Sequence, residues 1–475
     1  MDQEFMMKRF RAILATLLAL LVFNLTLMES AHAFSIGEER EVGEKLLYSV
    51  RTAFPLIDDP DLVAYLTTLG EDVLEVTGIQ YFDYHFFLIQ SNEFNAFAAP
   101  SGLVFFYTGL ISAMNSEEEF VSVLAHEIGH VVKRHLAGRI EKGKIIGVAS
   151  MAVAIAALAL GGGEATQALL TGSLAAGQSA TLHFSRKDEE EADRLAYDWM
   201  KQLGKDPAGQ AAMLKTMRRV SRYRSEKLPQ YLLTHPNPED RLDYVEGLIS
   251  SDHELPRRRE ERDQFNFLRF KYRIMSKVSD SVVYRAHLAN VLSDSRSTEF
   301  DRIMAKYGLS QIERVANNHV RSLKLLDEVL EVFPDRQILY TDKGVSLYSA
   351  GRLAEAISIL EKSWALDNED LYAAEYLARC YQALGDFERA NTLYKTVSYG
   401  LPEYSKIYFE LGKIATSRQK QGEASLYLGK YYLYEGKLKL ATFSLHNVAK
   451  LKTADDAVRK EAETLLEQIK RLEKK

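Results

Sequence analysis

Residues 116–132 read SEEEFVSVLAHEIGHVV. Ser116 with Glu119 three residues on makes a capping box, and Phe120, Val121, Val123, Leu124, Ile128, Val131 and Val132 continue it as a mostly buried helix. His126 and His130, four apart, share one face of that helix, so both imidazoles reach a single metal ion. Glu127, beside the first histidine, is placed to act on water at that metal. A histidine pair inside an otherwise apolar helix needs polar partners, and a metal supplies them.

A catalytic zinc takes a third protein ligand and keeps one position for water. The metzincin pattern, with a third histidine six residues past the second and a glycine halfway, is excluded, because Lys133 and Leu136 stand in those places. His135 is expected to point well around the helix, as a surface histidine. The better ligand lies in Glu189-Glu190-Glu191-Ala192-Asp193, where Glu189 and Asp193 share a helical face. One of the two can bind zinc while the other accepts a hydrogen bond from a ligand histidine and fixes its ring. A solvated acidic helix start, favoured by the macrodipole, also accounts for Asp188 to Glu191. Two histidines and a carboxylate suit zinc best, one ion per chain.

Outward from this helix, 475 residues allow two to four domains. A net charge of −6 with no extended basic stripe argues against a nucleic-acid partner. Lys8, Arg9 and Arg11 precede the apolar run Ala12 to Met28, and Ala31-His32-Ala33 is a small-x-small cleavage site. Residues 1–33 are therefore expected to be a signal peptide removed after about Ala33, with an uncleaved anchor as the rival. Cys380 is the only cysteine, so an exported chain has no internal disulfide and relies on packing.

Residues 34–250 form one expected unit, mainly helical with a small sheet from His85 to Gln90 and Leu103 to Tyr107. Within it, Ile145 to Leu160 is apolar on every face but short for a span, so a buried or flap helix is expected, with peripheral membrane contact as the alternative. From about residue 310 a 34-residue period appears: Gly351 recurs as Gly385, Ala356 as Ala390, and Gly344 as Ala378. Small residues at that period are the tetratricopeptide signature, predicting an all-α solenoid over 310–452. Gly429, Gly436 and Ala441 follow a half-repeat offset. Residues 251–309 read as a helical linker and 453–475 as a charged terminal helix.

The stretches HEIGH, FSRKDEEEADRLA and THPNPEDR resemble the HtpX-like gluzincin zinc metallopeptidases, and in particular the BepA-type periplasmic metalloproteases, which join such a domain to tetratricopeptide repeats. The resemblance covers nearly the whole mature chain and is weakest over 251–310. It implies that Glu189, four before the aspartate of ExxAD, is the third zinc ligand beside His126 and His130. His235 and Arg241 match its His-Pro motif with an arginine six residues on, and NAFAAPSG matches a substrate-binding edge strand near Asn95 to Leu103.

His235 has two functional readings and a bland one. It can donate to the oxyanion of the transition state with Arg241 assisting, ligate zinc as a latch that holds activity off, or form a His-Pro turn that caps the next helix. The resemblance favours the latch. The expected function is a zinc endopeptidase with Glu127 as general base, acting on misfolded envelope proteins after export. The resemblance implies that these are misfolded or stalled outer-membrane proteins met in the periplasm, with the repeats recruiting substrate or the outer-membrane β-barrel assembly machinery. The competing functions are a chaperone-like binding protein with a latched site, and a membrane-embedded protease using 145–160.

Overall fold

Ser35 caps the first helix, α1 (Ile36–Ala53), through a capping box with Glu38. The computed structural model describes residues 35–141, 184–223, 229–252, 264–278, 281–451 and 454–473. The expected signal peptide and the apolar run 145–160 lie outside them. Among the described residues no helix is long and apolar enough to cross a membrane.

After α2 (Pro60–Thr77) come three strands, β1 (His85–Ile89), β2 (Ala96–Ala99) and β3 (Leu103–Tyr107). The sheet order is β1-β3-β2, with β1 parallel and β2 antiparallel to β3, so β2 is a terminal strand. Strand alternation divides the side chains between two cores. Phe87, Phe97 and Phe105 meet Val42, Leu46 and Phe54 of the first helix. Phe86, Val104 and Phe106 face the other way, onto Phe120, Leu124 and Ile128. Both faces of the sheet are therefore covered, which fixes its register.

After α3 (Thr108–Ala113), the helix α4 (Glu117–Val132) lies in the second core, buried along nearly its whole length. The Ser116 hydroxyl accepts from the Glu119 N–H at 3.3 Å, as expected. The reciprocal half differs: the Glu119 carboxylate accepts from the Asn115 N–H at 3.1 Å, one residue before the cap. Phe120 is fully buried against Phe106 and Phe270. Truncating such a phenylalanine to alanine costs about 3–5 kcal/mol.

The chain continues through α5 (His135–Glu141), α6 (Arg186–Gln202), α7 (Ala208–Tyr223), α8 (Gln230–Thr234) and α9 (Pro238–Ser251). Between the expected units, the helix α10 (Gln264–Lys277) buries Phe267, Phe270 and Ile274 in the same core as Phe120. Its Phe265, Tyr272 and Met275 enter a separate core with Leu326 and Leu339. This helix bridges the two halves, and its Arg269 ties Asp61 at 2.7 Å to Asp342 at 2.8 Å. Arg273 pairs with Asp59 at 2.9 Å and lies over the Tyr372 ring.

From Glu299 onward every element among the described residues is a helix, and short turns join the helices into pairs. Left-handed backbone recurs at Asn317, Gly351, Gly385 and Gln419, at one spacing of 34 residues. The turns carrying it lead into helices that begin at His319, Leu353, Phe387 and Gln421. Gly436 repeats the turn seventeen residues after Gln419, which accounts for the half-repeat offset: helix Gln421–Tyr434 ends one pair and opens the next. A Cβ on Gly429 would meet Leu445 at 2.6 Å, just as one on Gly344 would meet Leu360 at 2.5 Å. Close helix crossing is thus the reason for both glycines. The last repeats fold back onto the first helix, where Gln468 donates to the Tyr48 hydroxyl at 2.6 Å and Arg51 to the Glu403 carbonyl at 2.8 Å. Cys380 is buried among the repeat helices.

Candidate metal centre

Three elements bring the predicted residues together. Helix Glu117–Val132 presents His126, Glu127 and His130 from its buried face. Helix Arg186–Gln202, started by a Ser185–Asp188 capping box, crosses it where Ala192 passes Gly129, whose Cβ would stand 3.4 Å from the Ala192 Cα. That close approach sets Glu189 and Asp193, one turn apart, against the two histidines. The third element is the turn from Thr234 to Pro238, where His235 ends one short helix and Asn237, in left-handed backbone, opens the next. Arg241 follows within that helix.

Ligand atoms of His126, His130, Glu189 and His235 all lie within 4.8 Å of one another. His126 Nε2 is 3.0 Å from His130 Nε2 and 3.3 Å from His235 Nδ1. Glu189 Oε1 is 3.0 Å from His235 Nδ1 and 3.5 Å from His130 Nε2. A neutral imidazole has one proton to give, so ring nitrogens converging on a shared point leave lone pairs facing each other. A cation at that point satisfies them. Among the described residues, both carboxylate oxygens of Glu127 and Nε2 of His235 are buried without a hydrogen-bond partner. This donor set, two imidazoles or three with one carboxylate, fits a divalent transition metal.

The electrostatics agree. Burial holds the His130 imidazole well below its ordinary pKa, so its lone pair is free for a metal. Burial alone would raise Glu189, but His235 and Arg241 outweigh it and hold the carboxyl well below its usual range. Asp193, likewise buried, is brought down to about 2 chiefly by Arg241. Asp193 Oδ1 stands 3.0 Å from His126 Nδ1, the ring nitrogen turned away from the cluster. Arg241 binds Asp193 in bidentate fashion, both contacts 2.7 Å, and reaches Glu189 at 2.8 Å. Its guanidinium is thereby committed to the two carboxylates.

All seven expected residues, His126, Glu127, His130, Glu189, Asp193, His235 and Arg241, meet in this one cluster. His135 departs from expectation. It is buried, not on the surface, with Nδ1 2.9 Å from His130 Nδ1. The helix stops at Val132 and Arg134 takes left-handed backbone, so extending the helical wheel past it fails. Gln210, which donates to Asp193 at 3.2 Å, Tyr231, stacked on His235, and Phe184, tilted against the His130 ring at 3.9 Å, were also not foreseen. No local pattern marks them; they arrive by tertiary packing. Ala98, Ala99 and Pro100, at the end of the terminal strand, border a small cavity with His130 and Phe184.

Residues 60–249 match the model of Peptidase family M48, and residues 347–415 match that of the tetratricopeptide repeat. The chain is 33% identical over 253 residues to the beta-barrel assembly-enhancing protease of Escherichia coli strain K12, covering 49% of this chain and 52% of that protein. The chain thus spans about half the length of the first curated relatives it matches. The protein of that name from Yersinia pestis is 29% identical over 351 residues, 73% of this chain and 71% of its own. The metalloprotease LoiP of Escherichia coli strain K12 is 30% identical over 169 residues, 34% of this chain and 61% of its own.

Proposed function

We propose that this chain, with its M48 peptidase domain ahead of tetratricopeptide repeats, is a gluzincin-type zinc endopeptidase of the cell envelope. The carrying observation is the convergence of four buried donor atoms, on His126, His130, Glu189 and His235, within 4.8 Å. We assign His126, His130 and Glu189 as the zinc ligands. When bound, the ion supplies Lewis acidity, which acidifies water and polarises a carbonyl.

The remaining roles fall to the chain's own groups. Glu127 is the general base: its buried carboxylate, which makes no hydrogen bond among the described residues, takes a proton from water and hands it to the leaving amine. Asp193 holds the outer nitrogen of His126, and Arg241 holds Asp193 and Glu189 in place. The substrate peptide adds to the terminal strand near Asn95 to Leu103 through backbone hydrogen bonds, which favours unfolded segments over defined sequences.

The substrate class we propose is misfolded or stalled outer-membrane proteins, met in the periplasm after removal of residues 1–33, with the repeats recruiting them or the β-barrel assembly machinery. The relatives' name and the repeats support it. A second reading, a binding protein with a latched site, is favoured by one observation: His126, Glu127, His130, Glu189 and His235 are each at most 3% exposed. Casein cleavage and zinc content of the full chain and its His235→Ala variant separate the two. The peptidase reading expects zinc and cleavage in the native chain, whereas the latched reading expects zinc in both with cleavage only in the variant.

A further inference from the structure

We infer that His135 is a positioning residue for the metal site, accepting the outer proton of His130 and itself oriented by Glu191. The inference rests on the reading of His126, His130 and Glu189 as ligands. His130 turns Nε2 into the donor cluster, 3.0 Å from His126 Nε2, which leaves Nδ1 facing outward. That outer nitrogen lies 2.9 Å from His135 Nδ1. Two ring nitrogens at this distance share one proton, so one donates and the other accepts. With Nε2 given to a metal, the His130 proton sits on Nδ1, and His135 must accept at its own Nδ1.

The rest of the chain of contacts then has one direction. His135 carries its proton on Nε2, which faces Glu191 Oε2 at 3.3 Å. The other Glu191 oxygen is held by Lys133 at 2.8 Å. His126 is held in the same manner, its Nδ1 3.0 Å from Asp193 Oδ1. Helix Arg186–Gln202 therefore contributes Glu189 to the cluster and, through Asp193 and Glu191, the outer support of both histidines. The Phe184 ring, 3.9 Å from the His130 ring, leaves that imidazole little room to turn. A neutral acceptor at His130 fixes the ring and tautomer as a carboxylate does at His126.

The test is zinc affinity by chelator competition on the mature chain, which needs no catalysis. His135→Phe keeps the ring volume and removes the acceptor, and is expected to weaken binding by about 10–100-fold. His135→Asn places an acceptor oxygen near the position of Nδ1 and is expected to restore most of the affinity. Glu191→Ala trims a side chain 39% exposed, so it folds even if the buried variant does not, and is expected to weaken binding by a smaller factor. His130→Ala serves as control. Loss of affinity in His135→Phe with rescue in His135→Asn supports the role. If His135→Phe and Glu191→Ala bind like the native chain while His130→Ala does not, the role of His135 is overturned and the metal site stands. Equal loss in the phenylalanine and asparagine variants also overturns it, since packing and not an acceptor would then matter. A native chain without zinc overturns the metal-site reading itself.

Discussion

His235 Nδ1 lies 3.0 Å from Glu189 Oε1, and His235 Nε2 approaches Glu127 Oε1 to 3.6 Å. One imidazole thus stands between the proposed carboxylate ligand and the proposed general base. It is fully buried and stacked on Tyr231.

If His235 closes the site, His235→Ala raises casein cleavage with zinc content unchanged. A closed state favoured by a few kcal/mol leaves the open state 0.1–10% populated, so the gain is at least about tenfold. Steady-state rates on the two proteins decide it, and a slower variant would mean that His235 stabilises the transition state instead.

Arg241 is the counter-charge of two buried carboxylates, Asp193 and Glu189. Arg241→Leu leaves both uncompensated and is expected to destabilise the metal-free protein by about 3–5 kcal/mol. Arg241→Lys returns the charge without the planar fork and falls between. Urea denaturation of the metal-free variants measures this, and a loss under about 1 kcal/mol would contradict the clamp.

Gly436 and Gly385 both take left-handed backbone, with φ of 71° and 81°. A Cβ at Gly385 meets nothing within 4 Å among the described residues, whereas one at Gly436 would stand 2.3 Å from the Tyr48 carbonyl oxygen. Gly385→Ala should cost only the conformational strain, about 1–2 kcal/mol. Gly436→Ala should cost more and loosen the seat of the repeats on the first helix. Thermal midpoints and protease cutting near Tyr48 compare the two, and equal shifts would count against this junction.

His85 of the first strand meets Glu403 of the repeats at 2.8 Å. Burial pulls the imidazole down, but the Glu403 carboxylate outweighs it and holds the pKa above its ordinary 6.5. A folded value above the unfolded one means the contribution is fully present below about pH 6.5 and is lost as pH rises through the folded value. With each side chain 29% exposed it amounts to about 1 kcal/mol at most. Glu403→Gln should flatten that part of the stability curve between pH 6 and 8; an unchanged slope would assign it elsewhere.

Much of this was legible in the chain. The histidine spacing, the Glu189–Asp193 spacing and the 34-residue period are local patterns, and helix geometry converts each into a shared face or a repeated turn. His135 was misread because the helix it was projected from ends at Val132, and the left-handed Arg134 reverses the chain. The linker over 251–309 was expected to be helical, but that its helix joins two cores was hidden for another reason. Arg269 joins Asp61 and Asp342, and Arg273 joins Asp59, across more than two hundred residues for each of Asp61 and Asp59. Such pairs leave no periodic trace, since their spacing is set by how two cores meet.

The most direct test is metal content and casein cleavage, side by side, for the chain from Phe34 and its Glu127→Gln variant. The account predicts one zinc per chain in both, with cleavage only by the native protein. Cleavage retained in full by Glu127→Gln, or a native chain that holds no zinc, would contradict it.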